Sequence, residues 1–165
     1  MTPPNDLREV VSMIDQDRFP VRKHPRMRNY DYTTPNYYFV TICTKHKACI
    51  FGSATQISTY GRIAQQGLLE IPKHFPGIRM DKYIIMPNHI HAIIVLEDGA
   101  RNLSTIIGQY KSYVTRCIHK LDPRLEVWQS SYHDHVIRDQ QGYEQIWNYI
   151  DGNLQKWQDD CYFVQ

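Results

Sequence analysis

Apolar positions along this chain switch between two periods, and each switch marks a new element. Residues 36–44, NYYFVTICT, are dense in β-formers and read as a strand buried on at least one face. Ile63, Leu68, Leu69 and Ile71 then share one side of a predicted helix over 59–75, with Ser58 as its cap and the Pro76-Gly77 breaker beyond its end. MDKYIIM (80–86) and HIHAIIVL (89–96) are a second and a third strand. Only Pro87 and Asn88 separate them, which predicts a bulge or bend within one β ribbon. Ile106, Ile107, Tyr110, Tyr113, Val114, Cys117 and Ile118 return to helical spacing over 104–121, with Ser104 as the expected cap. SYHDHVI (131–137) predicts a fourth strand, and GYEQIWNYIDGNLQKW (142–157) a last helix despite Gly152.

The order is therefore β, α, β, β, α, β, α. These strands are too few and too closely spaced for a doubly wound sheet, so the pattern predicts an α+β fold, a central, mostly antiparallel sheet with helices packed on it. Residues 1–35 are rich in proline and charge and show no sustained period beyond a short helix within 6–15. They predict an N-terminal arm ahead of a domain spanning 36–165.

Composition narrows the function classes. A length of 165 residues with 42% hydrophobic and 22% charged positions fits one folded domain and excludes wholesale disorder. The net charge of +2 excludes a body that holds nucleic acid by bulk charge alone. The charge is uneven, however. RFPVRKHPRMR (18–28) holds Arg18, Arg22, Lys23, Arg26 and Arg28 with no acid, and the stretch after Lys111, SYVTRCIHK, is also acid-free. Solvated surface is the bland reading of such runs. Four cysteines without a CxxC pair favour neither a zinc site nor a disulfide framework. The apolar runs are too short to span a bilayer, so the expectation is a soluble, cytoplasmic protein with no membrane partner.

Candidate chemistry centres on His89 and His91. Residues two apart on a strand point to one side with Cα atoms about 7 Å apart, so these imidazoles form half of a divalent-metal site. The alternative is a pair of hydrogen-bonded histidines without a ligand. Near the C-terminus, Tyr149 and Asn153 lie at i and i+4 of the last predicted helix. Asn153 offers a carbonyl oxygen as third ligand to a hard cation such as Mg²⁺ or Mn²⁺, and Tyr149 would bring its phenol beside that ion. Read alone, Tyr149 is also a plausible core aromatic beside Trp147 and Ile150.

NHIHAII followed by Tyr-x-x-x-Asn resembles the single-tyrosine HUH transposases, in which U is a hydrophobic residue, here Ile90. YDYTTPNYYFVTICT, MPNHIHAIIVL, IIGQYKSYVTR, WQSSYHDHVIR and YIDGNLQKW resemble, in order, the bacterial branch associated with repetitive extragenic palindromes (REPs). The likeness spans roughly 30–160. It implies a ferredoxin-like HUH nuclease fold and a nucleoid-associated enzyme that cleaves and rejoins single-stranded DNA at palindromic hairpins. Tyr149 would be the nucleophile, forming a 5′-phosphotyrosine link and releasing a 3′-hydroxyl, with His89, His91 and Asn153 as ligands to one Mg²⁺ or Mn²⁺. Arg22, Lys23, Arg26, Arg28, Lys45, Lys47, Lys111, Arg116 and Arg138 are the expected phosphate contacts, and Tyr30, Tyr32, Tyr37 and Trp128 the expected stacking platforms for bases.

Tyr110 and Tyr113 are rival nucleophiles, and His133 and His135 are candidate bases. Where such chains often carry Asn-Pro near the helix end, this one reads DGNLQKW. Gly152 costs a helix about 1 kcal/mol relative to alanine and leaves the tyrosine helix free to swing. Two other functions share these residues: a hairpin-binding protein without catalysis, and a metal-dependent phosphoesterase that activates water. A homodimer acting in trans stays open.

Overall fold

The computed structural model describes residue 27 and residues 29–165. The run containing Arg22, Lys23, Arg26 and Arg28, and the short helix expected within 6–15, lie outside the described residues. Four strands, β1 (Asn36–Cys43), β2 (Ile78–Ile85), β3 (His89–Leu96) and β4 (His133–Ile137), form one sheet in the order β2-β3-β1-β4. Every neighbouring pair is antiparallel. Helix α1 (Thr59–His74) links β1 to β2, α2 (Leu103–His119) links β3 to β4, and α3 (Gln140–Gly152) follows β4. This is the split βαβ order of a ferredoxin-like domain, the α+β fold that the periodicity predicts.

Alternation along the two central strands divides the core. Tyr38, Val40 and Ile42 of β1 and Ile90, Ala92, Ile94 and Leu96 of β3 face α1 and α2, where they meet Ala64, Leu68, Ile106, Ile107 and Val114. Phe39, Ile93 and Ile137 face the other way, onto Ile146 and Ile150 of α3. The two linking helices approach closely at Gly67, where an added Cβ would lie 3.0 Å from the rings and methyls of Tyr110 and Val114. The Tyr110 hydroxyl donates to the Ala64 carbonyl on this side, which keeps that rival nucleophile in the core.

Several boundaries differ from expectation for local reasons. Pro87 and Asn88 are the loop of a tight β2–β3 hairpin, closed by a 2.9 Å bond from the Met86 amide to the His89 carbonyl, so the chain reverses there. The register shift lies instead between Met80 and Lys82. Helix α2 is capped by Asn102, whose side chain accepts from the Ser104 amide, and Ser104 stands inside the first turn. Helix α1 does begin after Ser58, which accepts from the Gly61 amide. The last helix stops at Gly152 and tightens into a 3₁₀ segment, Leu154–Asp159, because the Asn153 amide bonds back three residues to Ile150.

Candidate metal and nucleophile site

The face of the sheet under α3 carries the chemistry. His89 and His91 lie in a fully buried central strand, and residues 154–162 cover them together with Tyr149. Their Nε2 atoms converge to 3.0 Å. Each outer nitrogen has a partner: His89 Nδ1 meets Asn88 Oδ1 at 2.8 Å, and His91 Nδ1 meets Thr41 Oγ1 at 2.8 Å. Thr41 pairs with His91 across the β1–β3 ladder, so the sheet register itself delivers this hydroxyl.

Helix α3 brings Tyr149 to the same point. Its hydroxyl lies 3.4 Å from His91 Nε2, and its ring stands edge-on to Phe39 at 6.2 Å between centroids. The capping of α3 by Asp139, which accepts from the Gly142 amide at 2.7 Å, sets the start of this helix. Asn153, just past the helix end, is buried, and its Nδ2 has no hydrogen-bond partner among the described residues. An orphaned buried amide is costly, of order 1–3 kcal/mol, so its presence at this end of α3 is notable.

Two further side chains come from the C-terminal segment. Asp160 Oδ2 lies 3.9 Å from His89 Nε2, while its Oδ1 accepts from the Tyr162 amide at 2.7 Å. His89, His91 and Asp160 place their ligand atoms within 4.8 Å of one another. The Tyr162 ring lies against His89 with centroids 4.5 Å apart. Burial holds both imidazoles neutral: it pushes His91 down to about 3 and His89 well below the ordinary histidine range, the latter helped by repulsion between a protonated His89 and its neighbours His91 and Lys47. Neutral nitrogens facing a carboxyl oxygen are the donor set a hard or borderline divalent ion takes, so the residues present fit such an ion.

The other expected site residues are dispersed. Lys47 lies over the Tyr162 ring at 5.3 Å, beside the histidines. Lys45 reaches Glu126 at 3.9 Å, and Arg138 lies on the exposed surface beside Met27. Lys111 turns inward, donating to the Gln129 and Ser131 carbonyls, and burial lowers its pKa. Arg116 lines a groove of 690 Å³ between α1 and α2, on the opposite side of the sheet, and Tyr113 lines the same groove. Of the expected base platforms, Tyr32 is buried against Tyr30 and Tyr38, and the Trp128 indole donates to the Lys111 carbonyl and packs on Phe51. Tyr30 and Tyr37 are half-buried; Tyr37 lies against Tyr143, and its hydroxyl accepts from Arg79. His133 is opposite Thr41 and His135 opposite Phe39, so both share the face of His91, one strand further away.

Sequence reasoning missed Asp160, Asn88, Thr41 and Tyr162. Thr41 had a signal, a polar side chain at an inward position of an apolar strand. Asp160 had none, since the segment around it has no periodicity.

The fold and this buried cluster define a class: a ferredoxin-like α+β protein with a candidate metal centre on one sheet face and a tyrosine helix laid across it. The chain belongs to the family described as transposase IS200 like, whose profile matches residues 31–153, and so to the single-tyrosine HUH transposases. It is 32% identical over 168 residues to an uncharacterised protein of Haemophilus influenzae, an alignment covering 87% of this chain and 93% of that one. Among solved structures, its fold is similar to that of a REP-associated tyrosine transposase bound to a REP hairpin, with a TM-score of 0.64, 20% identity, and 79% of this chain and 73% of that chain covered. A candidate transposase of Deinococcus radiodurans R1 is similar at a TM-score of 0.53 and 16% identity, with 77% of this chain and 95% of that chain covered. Among the described residues, no helix is long and apolar enough to cross a membrane.

Proposed function

We propose that this chain is a divalent-metal-dependent single-stranded DNA endonuclease and strand transferase, which cuts and rejoins DNA at or beside palindromic hairpins through Tyr149. The observation that carries this reading is the convergence of the α3 phenol on two imidazoles of β3, 58 residues away in sequence. The Tyr149 phenol lies 3.4 Å from His91 Nε2, which lies 3.0 Å from His89 Nε2. Family membership supports DNA cleavage as the reaction class, and the hairpin bound to a structural relative supports the substrate.

In this reading His89, His91 and Asn153 hold Mg²⁺ or Mn²⁺, with Asp160 as a carboxyl ligand from the C-terminal segment. A bound ion would draw charge from a non-bridging phosphate oxygen and make the phosphorus a better electrophile. The Tyr149 oxygen forms a bond to phosphorus and loses its proton, the bond to the 3′-oxygen breaks, and that oxygen takes up a proton to leave as a hydroxyl. The ester energy stays in the 5′-phosphotyrosine, so the reverse attack by a 3′-hydroxyl rejoins DNA without a cofactor. Phe39, packed edge-on to Tyr149, fixes the ring that carries the nucleophile. Both histidines have no exposed surface beneath residues 154–162, so DNA reaches them only when that segment moves aside. Lys47 then stands beside the entering phosphate, with Lys45 and Arg138 further out.

The test is incubation with Mn²⁺ or Mg²⁺ and a hairpin oligonucleotide bearing a single-stranded flank, followed by a denaturing gel. A covalent adduct that disappears in Tyr149→Phe and in His89→Ala is the expected result. Cleavage without adduct would move the assignment to a water-activating phosphoesterase, and binding without cleavage to a hairpin-binding protein.

A further inference from the structure

Asn88 is buried in the hairpin loop ahead of the histidines, and every polar atom of its side chain is engaged. Its Nδ2 donates to the Lys47 carbonyl at 3.1 Å and to the Tyr162 carbonyl at 2.7 Å. Two carbonyl acceptors settle which end of the amide is nitrogen, because the flipped amide would set oxygen against oxygen. Oδ1 therefore faces His89 Nδ1 at 2.8 Å and can only accept from it. The loop backbone is held as firmly, since the Thr44 amide and hydroxyl both donate to the Asn88 carbonyl at 2.9 Å.

We infer that Asn88 is a positioning residue with two tasks: its Oδ1 locks His89 in the Nδ1–H tautomer, and its Nδ2 ties the hairpin loop to the C-terminal segment. With the proton on Nδ1, His89 Nε2 presents its lone pair to His91 and Asp160 at all times. The 3.0 Å contact between the two Nε2 atoms then requires a proton on His91 Nε2 in the ion-free protein. His91 Nδ1 correspondingly accepts from the Thr41 hydroxyl. Thr41 can rotate and accept instead, so His91 can exchange tautomers when an ion arrives. His89 is preset and His91 is switchable, and the two outer partners, an amide oxygen and a hydroxyl, make the difference.

Both tasks fall to one amide. The nitrogen that grips the Tyr162 carbonyl and the oxygen that orients His89 belong to one rigid plane, and the Lys47 carbonyl holds that nitrogen whether or not residues 160–162 are docked. The role in ion binding rests on the metal reading above; the tautomer does not, because it is read in ion-free protein.

The experiment uses the full chain with ¹⁵N-labelled histidine. The ion-free wild type is expected to show a protonated, pyrrole-type Nδ1 and a pyridine-type Nε2 at His89. Asn88→Asp keeps the acceptor oxygen toward His89 but turns a second oxygen on the two carbonyls. It should retain the tautomer and Mn²⁺ affinity while trypsin cuts faster after Lys156. Asn88→Ala should lose the tautomer bias, weaken Mn²⁺ binding about 10–100-fold by calorimetry, and also speed the cut. A protonated Nε2 at His89 in the wild type overturns the proposal. So does Asn88→Ala with unchanged tautomer and affinity, or Asn88→Asp with the tautomer lost. Should Asn88→Ala not fold, the wild type and Asn88→Asp decide. A wild type that binds no Mn²⁺ would sink the metal reading instead, with the nitrogen signals still deciding the tautomer.

Discussion

The two faces of the sheet are built from the same strands and differ in what they bury. Facing α1 and α2, β3 presents Ile90, Ala92, Ile94 and Leu96, and the layer beneath is apolar and closed. Facing α3, the same strand presents His89 and His91, with Thr41 beside them and Asp160 and Tyr162 above. Burying polar groups without partners costs stability, so a protein concentrates them only where something else compensates or where function requires it. One face holds the domain together, and the other spends part of that stability on chemistry.

That division is open to disruption, and the largest effect belongs to the reactive face. Tyr149→Phe keeps the ring against Phe39 and removes only the hydroxyl. Covalent adduct should fall below detection while the urea midpoint moves by no more than about 1 kcal/mol of stability. A comparable stability loss on both faces would erase the contrast. Ile94→Ala on the closed face should do the opposite, costing about 2–5 kcal/mol while leaving adduct formation intact wherever the variant is folded.

Ion binding comes next. Mn²⁺ at a hundredfold excess over its dissociation constant should raise stability by about 2.7 kcal/mol, reversed by chelator and absent in His89→Ala.

Acid should give the smallest effect near neutrality, growing as pH falls. Because folding depresses both histidine pKa values, the unfolded chain binds more protons below about 6.5. The pair's contribution is therefore complete above that pH and is lost on going down toward the folded value of about 3 for His91. Each histidine should add a slope of about 1.4 kcal/mol per pH unit within that window. The measurement is the urea midpoint against pH, wild type minus His89→Asn/His91→Asn; equal slopes would mean that the imidazoles are not held neutral.

Legibility in the sequence followed periodicity. Strand β3 runs over the residues its alternation marks, and the α1 cap at Ser58 is where an oxygen side chain precedes a helical stripe. The meeting of Tyr149 with His91 could be anticipated because strand and helix faces are both readable from spacing. What escaped was aperiodic or long-range. Asn102 and Ser104 are equally good caps by residue type, and tertiary packing chose the first while Ser104 turned to Tyr132. The last helix read through to 157 because Trp157 continues an apolar stripe, yet the chain tightens after Gly152 and Trp157 is buried near His89 by another path. Lys111 reads as a surface cation and is instead a strap to two carbonyls, since nothing local announces acceptors 18 and 20 residues away.

The two-residue hairpin loop has a consequence for how this chain can change over time. Inserting one residue at Pro87-Asn88 while the two-residue turn was kept would push β3 one step through its register, sending both imidazoles into the oily layer and two aliphatic residues out toward the tyrosine. Insertions are therefore barred at this corner, whereas the turn after β3 at 97–101 lies largely in solvent and can absorb them. Descendants of this protein should diverge in length at that far end of the strand while the near end stays frozen.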